Sequence, residues 1–340
     1  MEIGHALAHL ETGSTLTEAE SEAIFTQMLS GTLTDAQIAE LLTLLASRTP
    51  TVEELTGAAR VMRSHVTRVA TSIPPSHILD TCGTGGAPKT FNVSTAAAIV
   101  VASTGILKVA KHGNRSRTGR GSAEVLASLG VNIEATTVQQ TRCLEEAGVC
   151  FCFAVHHHPA AKFASAARKA LSFPTIFNLL GPLTNPAGAS RQLIGVYRPE
   201  LVDLVSRTLA RLGSEQSLVV HGEPGLDELS IFGRTHVARV QGKAVTAEHL
   251  NPAALGFRSA LITDVSPATL ADATTMLINV LQGQEGPARD MVVLSSAAAL
   301  SLAGTGSTIA AKIGPVQQVI DSGKAYDTLQ RLARLSHERA

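Results

Sequence analysis

The sequence predicts a small helical domain joined to a large α/β domain whose mostly parallel sheet is flanked by helices. Three observations carry this. The first seventy or so residues hold three capping-box signatures, Thr17-x-x-Glu20, Thr34-x-x-Gln37 and Thr51-x-x-Glu54. A stiff Ile73-Pro74-Pro75-Ser76 connector follows them. Beyond it, short apolar runs alternate with helical patterns, the rhythm of a sheet built from βαβ units.

Each element has a local reason. After the second capping box, Ile38, Leu41, Leu42 and Leu45 recur at helical spacing, and Gly31 and Pro50 punctuate the segments. Strands are expected at His77–Asp80, Leu107–Lys111, Val149–Ala154, Gln192–Tyr197, Ser217–His221 and Met291–Leu294. Helices are expected at Ser94–Ser103, Ser122–Leu129, Val138–Glu146, Pro199–Leu212 and Leu270–Leu281. The stretch His236–Val245, with Gln241-Gly242 inside it, reads as a hairpin at the sheet edge. Helix-like sequence from Pro159 to Leu183 interrupts the rhythm and can return to the N-terminal helices. The helical domain is therefore expected to be discontinuous, 1–72 with 159–186, and the α/β domain to comprise 77–158 and 187–340. The cleft between them is the natural site.

Composition narrows the function. The 340 residues are 44% hydrophobic, enough for a sizeable core, and small aliphatics must fill it because there are 9 Phe, 2 Tyr and no Trp. A formal net charge of zero argues against a general nucleic-acid binder, so the basic residues Lys111, Arg115, Arg117 and Arg120 read as a local feature. Arg117 in particular reads as a solvated loop residue. No secretory signal is apparent, and no apolar run nears the ~18 residues needed to span a bilayer. The four cysteines lack zinc-ligand spacing and read as reduced core thiols, which fits a cytoplasmic protein.

Two glycine-bearing loops close in sequence carry the strongest chemical signal. Gly83-Thr84-Gly85-Gly86 directly follows a strand, where bare N–H groups can turn toward an anion. Asn92, Ser94 and Thr95 stand at the start of the next helix, whose positive end favours the same charge. The turn is neither a P-loop nor a dinucleotide fingerprint. Lys111 and Asn114 end a second strand, which places them on the same carboxyl edge, where open α/β sheets bind ligands. Gly119 and Gly121 make the following loop pliable enough to close. Asp227 and Glu228 follow a further strand through a Gly225 turn and add two acids at that edge, which suits magnesium shared with a diphosphate.

The ordered blocks GTGG with TFNVST, KHGNRS, HHPA (His157 to Ala160), TIFNLLGPLTNP (Thr175 to Pro186), HGEPGLDELS (His221 to Ser230) and IDSGKA cover nearly the whole chain. In these blocks the sequence resembles the anthranilate phosphoribosyltransferase family, within the nucleoside-phosphorylase-like class. The resemblance implies Mg²⁺-dependent transfer of a phosphoribosyl group from phosphoribosyl diphosphate to the amine of anthranilate, with release of pyrophosphate. It implies donor contacts from Gly83, Thr84, Gly85, Gly86, Asn92, Ser94, Thr95, Lys111 and Ser122. It places Gly83, Asn114, His158, Arg168 and Pro182 along the acceptor path, and Ser94, Asp227 and Glu228 on one or two Mg²⁺ ions. Arg168 is the expected partner of the anthranilate carboxylate. No general acid or base is assigned, and a homodimer through the helical domain is implied. Ala87-Pro88 stands where the family usually has Asp, Pro174 where it often has Arg, and the 115–122 loop looks one residue shorter. These departures imply altered affinity, with Arg120 as a replacement cation. Two rival readings are a phosphoribosyltransferase or nucleoside phosphorylase of other specificity and a non-catalytic nucleic-acid-binding relative. The Asp227–Glu228 pair argues against a phosphorylase, and the neutral charge with Arg168 against the nucleic-acid binder.

Overall fold

The computed structural model describes residues 1–88, 90–116, 118–304 and 306–338. Arg117, expected above as a solvated loop cation, lies outside the described residues. The chain begins with four helices, α1 (Ile3–Glu11), α2 (Glu18–Leu29), α3 (Asp35–Ala46) and α4 (Val52–Ser64). The last three start at the Thr17, Thr34 and Thr51 capping boxes, each with both reciprocal hydrogen bonds formed. The third box does more than cap. Glu54 is 1% exposed, yet its carboxylate accepts from Thr51 N, Leu16 N and the Arg48 guanidinium at 2.6–2.9 Å. Burial alone would raise its pKa; these partners together hold it below the ordinary value.

The sheet follows. Its strands are β1 (Ile78–Gly83), β2 (Lys108–Gly113), β3 (Val149–Phe153), β4 (Arg191–Gly195), β5 (Gln216–Gly222), β6 (Thr235–Gln241) and β7 (Ala244–Leu250), in the order β3-β2-β1-β4-β5-β6-β7. The first five run parallel and are buried on both faces, while β6 and β7 form the expected antiparallel hairpin, closed by Gly242 at φ 58°. The crossovers are α5 (Val93–Ser103), α6 (Ser122–Ser128), α7 (Thr137–Arg142), and then α8 (Ala154–His157), α9 (Ser165–Ala170) and α10 (Ile176–Leu180), with α11 (Leu201–Arg211) before β5. Four helices close the chain: α12 (Leu270–Leu281), α13 (Pro287–Ser301), α14 (Ile309–Asp321) and α15 (Lys324–His337).

One expected strand is wrong. Met291–Leu294 lies inside α13, where every residue from Met291 to Ser301 is buried. A helix hidden all round has no polar stripe, so a four-residue apolar window cannot be told from a strand. The Ser/Ala-rich continuation and Pro287 at the first turn were the better guides.

Two apolar cores lie on opposite faces of the sheet. One packs Leu193, Leu218 and Val237 against α5 and the C-terminal helices. The other joins Cys82, Ile194, Val219 and Ala238 to α11 and, without a break, to the N-terminal helices. Ala164, Ala167, Ile176, Phe177 and Leu180 of the 159–183 stretch belong to this second core. That stretch thus leaves the sheet to pack on α2, α3 and α4. Among the described residues no helix is long and apolar enough to cross a membrane.

Candidate functional site

Four neighbouring parallel strands end in glycine: Gly113 on β2, Gly83 on β1, Gly195 on β4 and Gly222 on β5. The reason is visible above them. A Cβ on Gly195 would stand 1.7 Å from the Asp227 carbonyl oxygen, and one on Gly222 would stand 2.5 Å from that of Glu228. A Cβ on Gly83 would meet the Asp227 carboxylate at 2.9 Å, and one on Gly113 the Ser122 hydroxyl at 2.2 Å. The bare carboxyl edge thus lets the Asp227-Glu228 loop lie directly on the strand ends. Leu226 and Leu229 are buried and anchor that loop, leaving the two acids between them half-buried.

Asp227 reaches the glycine turn: Gly85 N–H donates to its carboxylate at 3.0 Å. Gly85 and Gly86 take φ of 64° and 97°, which a side chain would resist, and the Tyr197 ring packs under Gly86. Thr84 is buried, with its hydroxyl accepting from Tyr197 N. Asn92 is the cap residue of α5 and its amide donates to Arg120 O. The Arg120 guanidinium donates to Pro267 O, so in this arrangement it is tied to the 262–267 segment.

Lys111, expected above as a donor contact, is buried. It is 3% exposed, and its ammonium donates to Thr81 O at 2.6 Å and Ser94 Oγ at 3.2 Å. It underpins the site through Ser94 while its charge faces Asp80 and Glu228. Burial lowers its pKa against these anions. Thr95 is likewise sunk, with its Oγ1 buried and unpartnered. Ser122 is half-buried, its hydroxyl 3.4 Å from Asn114 O.

Sequence reasoning missed Asp80 and His112. Asp80 is fully buried and accepts from His112 N at 3.0 Å; desolvation raises its pKa to about 6 despite Lys111. The His112 ring donates from Nδ1 to Gly181 O at 3.0 Å, which leaves Nε2 as an acceptor. His158 Nε2 stands 3.1 Å from it and therefore carries the proton, leaving His158 Nδ1 a buried lone pair without a partner. Protonating His112 would set two donors nose to nose, and protonating His158 would bury a charge on an Nδ1–H with no acceptor. Burial accordingly depresses His112 to about 3 and His158 to about 4. The sequence signal was adjacency: His112 follows Lys111 in KHGNRS, but its partner is 46 residues away.

The other acceptor-path residues divide. Pro182 is buried, in a 3-10 turn at Gly181–Leu183. Asn114 and Arg168 are exposed, and the Arg168 guanidinium carbon lies 4.5 Å over the Phe177 ring. His112 links His158 to the turn that carries Pro182, and Arg168 lies on α9.

This sheet and helical bundle define a glycosyl transferase. Residues 75–326 match the glycosyl transferase family, a/b domain, and residues 5–66 match its helical bundle domain. The chain is 46% identical to the anthranilate phosphoribosyltransferase of Methylococcus capsulatus over 342 aligned positions, covering 100% of this chain and 99% of the relative. The Geotalea uraniireducens enzyme of the same name is 42% identical, with 99% and 100% covered. The crystal structure of the Thermus thermophilus enzyme superposes with a TM-score of 0.90 at 35% identity, covering 98% of this chain and 99% of that one. A Saccharomyces cerevisiae anthranilate phosphoribosyltransferase, solved in complex with PRPP (phosphoribosyl diphosphate) and Mg, shares the fold at TM-score 0.87 and 24% identity, covering 98% and 97%. The chain belongs to the anthranilate phosphoribosyltransferase family.

Proposed function

We propose that the glycine-bare carboxyl edge is where this chain joins its two substrates. The chain is an enzyme of pentosyl transfer in tryptophan biosynthesis: it moves the phosphoribosyl group of phosphoribosyl diphosphate to anthranilate. The observation that carries the assignment of the site is the Asp227-Glu228 loop resting on Gly83, Gly195 and Gly222, with Asp227 hydrogen-bonded to the Gly85 turn.

In this reading Gly83 to Gly86, Asn92, Ser94, Thr95 and Ser122 receive the donor, and Lys111 braces it from beneath through Ser94. Asn114, His158, Arg168 and Pro182 with Gly83 line the acceptor path. Asp227, Glu228 and Ser94 are hard oxygen donors grouped around Lys111 and the glycine turn, a set that fits Mg²⁺. Two acids are few for an all-protein cage, which suits an ion shared with diphosphate oxygens. When bound, Mg²⁺ would offset negative charge on the departing pyrophosphate. The chain's own residues orient the reactants. The amine nitrogen attacks C1 of the ribose as the C1–O bond to pyrophosphate breaks, and the nitrogen then sheds a proton. An aniline-type nitrogen gives up that proton readily once it has attacked, so no strong base is required. The neutral His112–His158 pair is in keeping with this.

Domain boundaries at 1–72 with 159–186, and at 77–158 with 187–340, belong to the same proposal, supported by the common apolar core of the first two segments. So does a homodimer through the helical bundle, to be read as molar mass by light scattering. The test of function is loss of anthranilate fluorescence with phosphoribosyl diphosphate, with and without Mg²⁺. Unchanged fluorescence with both substrates and metal present would overturn the reading.

A further inference from the structure

The turn that carries Pro182 is held in an unusual way. Its three successive carbonyls are each gripped by a side chain from a different element. Gly181 O accepts from His112 Nδ1 of β2 at 3.0 Å, Pro182 O from Gln192 Nε2 of β4 at 2.7 Å, and Leu183 O from Arg63 Nε of α4 at 2.7 Å. Gln192 is 1% exposed and its bond is fully buried. Arg63 also donates from Nη1 to Leu212 O, the cap residue of α11, at 3.2 Å. A half-buried guanidinium spent on two carbonyls is a costly arrangement, because burial and the neighbouring cations Arg60 and Arg68 all oppose its charge. A short turn needing only to pass between α10 and β4 could leave these carbonyls to water.

We propose that Arg63 and Gln192 are positioning residues for the acceptor: with His112 they fix all three carbonyls of the Gly181–Leu183 turn and so set where Pro182 meets the aromatic ring of anthranilate. This rests on the reading of Pro182 as a lining residue of the acceptor path. The arrangement also couples two parts of the molecule. Gln192 and His112 refer the turn to the sheet, whereas Arg63 refers it to the helical bundle and to α11. A shift of the bundle against the sheet is therefore transmitted to Pro182 directly. None of the three side chains needs to touch either substrate for this, so the donor half of the site is left alone.

The experiment compares Arg63→Met and Gln192→Met, which keep apolar bulk but remove the donors, with Arg63→Lys and Pro182→Ala. Steady-state kinetics are measured for each substrate, alongside anthranilate binding by fluorescence titration and thermal melting. Losing the hydrogen bonds that hold the turn, two in Arg63→Met and one in Gln192→Met, is expected to lower kcat/KM for anthranilate about tenfold. The KM for phosphoribosyl diphosphate should stay within about twofold of the parent. Arg63→Lys, which can reach only one of the two carbonyls, should fall between the parent and Arg63→Met. If Arg63→Met does not fold, Arg63→Lys carries the test through the same acceptor-only shift. Equal losses for donor and acceptor, or no loss in folded variants while Pro182→Ala lowers acceptor efficiency, would overturn the positioning role alone. If Pro182→Ala also leaves anthranilate kinetics unmoved, the acceptor-path reading falls and takes the inference with it.

Discussion

Gly195→Ala puts the sheet edge to the sharpest test. Gly195 does not occupy the left-handed region, so alanine meets no backbone penalty there, and the whole effect is steric. The new methyl would lie 1.7 Å from Asp227 O and 2.4 Å from Asp227 C, where contacts under 3.0 Å are essentially never seen. Both are backbone atoms, so no side chain can swing aside. The Asp227 peptide must retreat by more than about 1 Å, a misplacement that can cost about a hundredfold in rate when it falls on catalytic geometry. The Gly85 N–H bond to the Asp227 carboxylate is lost with it. Overpacking adds about 1–3 kcal/mol of destabilisation. The assay is kcat/KM for each substrate with a Mg²⁺ titration, paired with a thermal melt. Gly4→Ala is the control: Gly4 is exposed within α1, outside the left-handed region, with nothing within 4 Å of its Cβ position, and the change should leave turnover unchanged and stability equal or higher. Should Gly195→Ala show parental turnover and metal dependence at an unchanged melting temperature, the glycine edge does not place the carboxylates and their assigned role is lost.

The other predictions address single groups. Glu228→Gln should lower metal-dependent turnover by about two to three orders of magnitude, the scale of losing an electrostatic stabiliser of a leaving group; kcat within tenfold of the parent would contradict this. Arg168→Ala should raise the KM for anthranilate about 10- to 100-fold through loss of a charged hydrogen bond, with donor binding spared; equal damage to both substrates would remove Arg168 from the acceptor path. Glu54→Gln should cost about 3 kcal/mol by leaving Arg48 and the helix caps short of their anion, read as a fall in urea midpoint. Stability should also fall with acid. His112 and His158, at about 3 and 4 in the fold, take up protons in the unfolded chain between pH 6.5 and 4, so their contribution is lost as pH falls. Asp80, at about 6, has the opposite sign between pH 4 and 6, since the folded state there binds its proton more tightly. Among these three groups one net proton remains, so stability should fall by on the order of 1 kcal/mol per pH unit from pH 6 to 4; a flat profile in urea melts would sink the buried neutral pair.

Local features were the legible part. The three threonine caps began helices where expected because a capping box involves only four consecutive residues. The two glycine-bearing loops and the acid pair declared themselves by composition, and the fold brings Gly85 to Asp227 across 142 residues. What stayed hidden depends on depth. Nothing in KHGNRS says that Lys111 is buried, because that follows from α5 covering it, or that His112 is paired with His158. The misread strand in α13 has the same origin: burial on every side erases the period. One signal was present but passed over. Four of the strands end at a glycine, in DTCG, AKHG, QLIG and VVHG, and together they mark an edge that another segment must approach closely.

In the proposed site the donor and acceptor halves are preorganised by opposite means. On the donor side, side chains are withheld: glycines end the strands, bend at Gly85 and Gly86, and leave N–H groups to face an anion. Such a surface adapts to a charged, oxygen-rich ligand, because backbone amides can pivot and an arriving diphosphate can replace the Asp227 carboxylate on Gly85. On the acceptor side, side chains are added: His112, Gln192 and Arg63 pin three carbonyls beneath Pro182. An aromatic acid with one nucleophilic nitrogen offers few hydrogen bonds, so its placement must come from the shape and stiffness of what it lies against. Pro174, exposed before α10, stands where the resemblance implies a cation on that side, and none of the three anchoring hydrogen bonds involves it. The expected consequence is an acceptor site whose affinity for the carboxylate depends chiefly on Arg168 while its geometry does not. Paired kinetics of Arg168→Ala and Gln192→Met with anthranilate esters would separate the two. The ester should erase the effect of Arg168→Ala and leave that of Gln192→Met intact, and an ester that erased both would show that charge and geometry are not independent here.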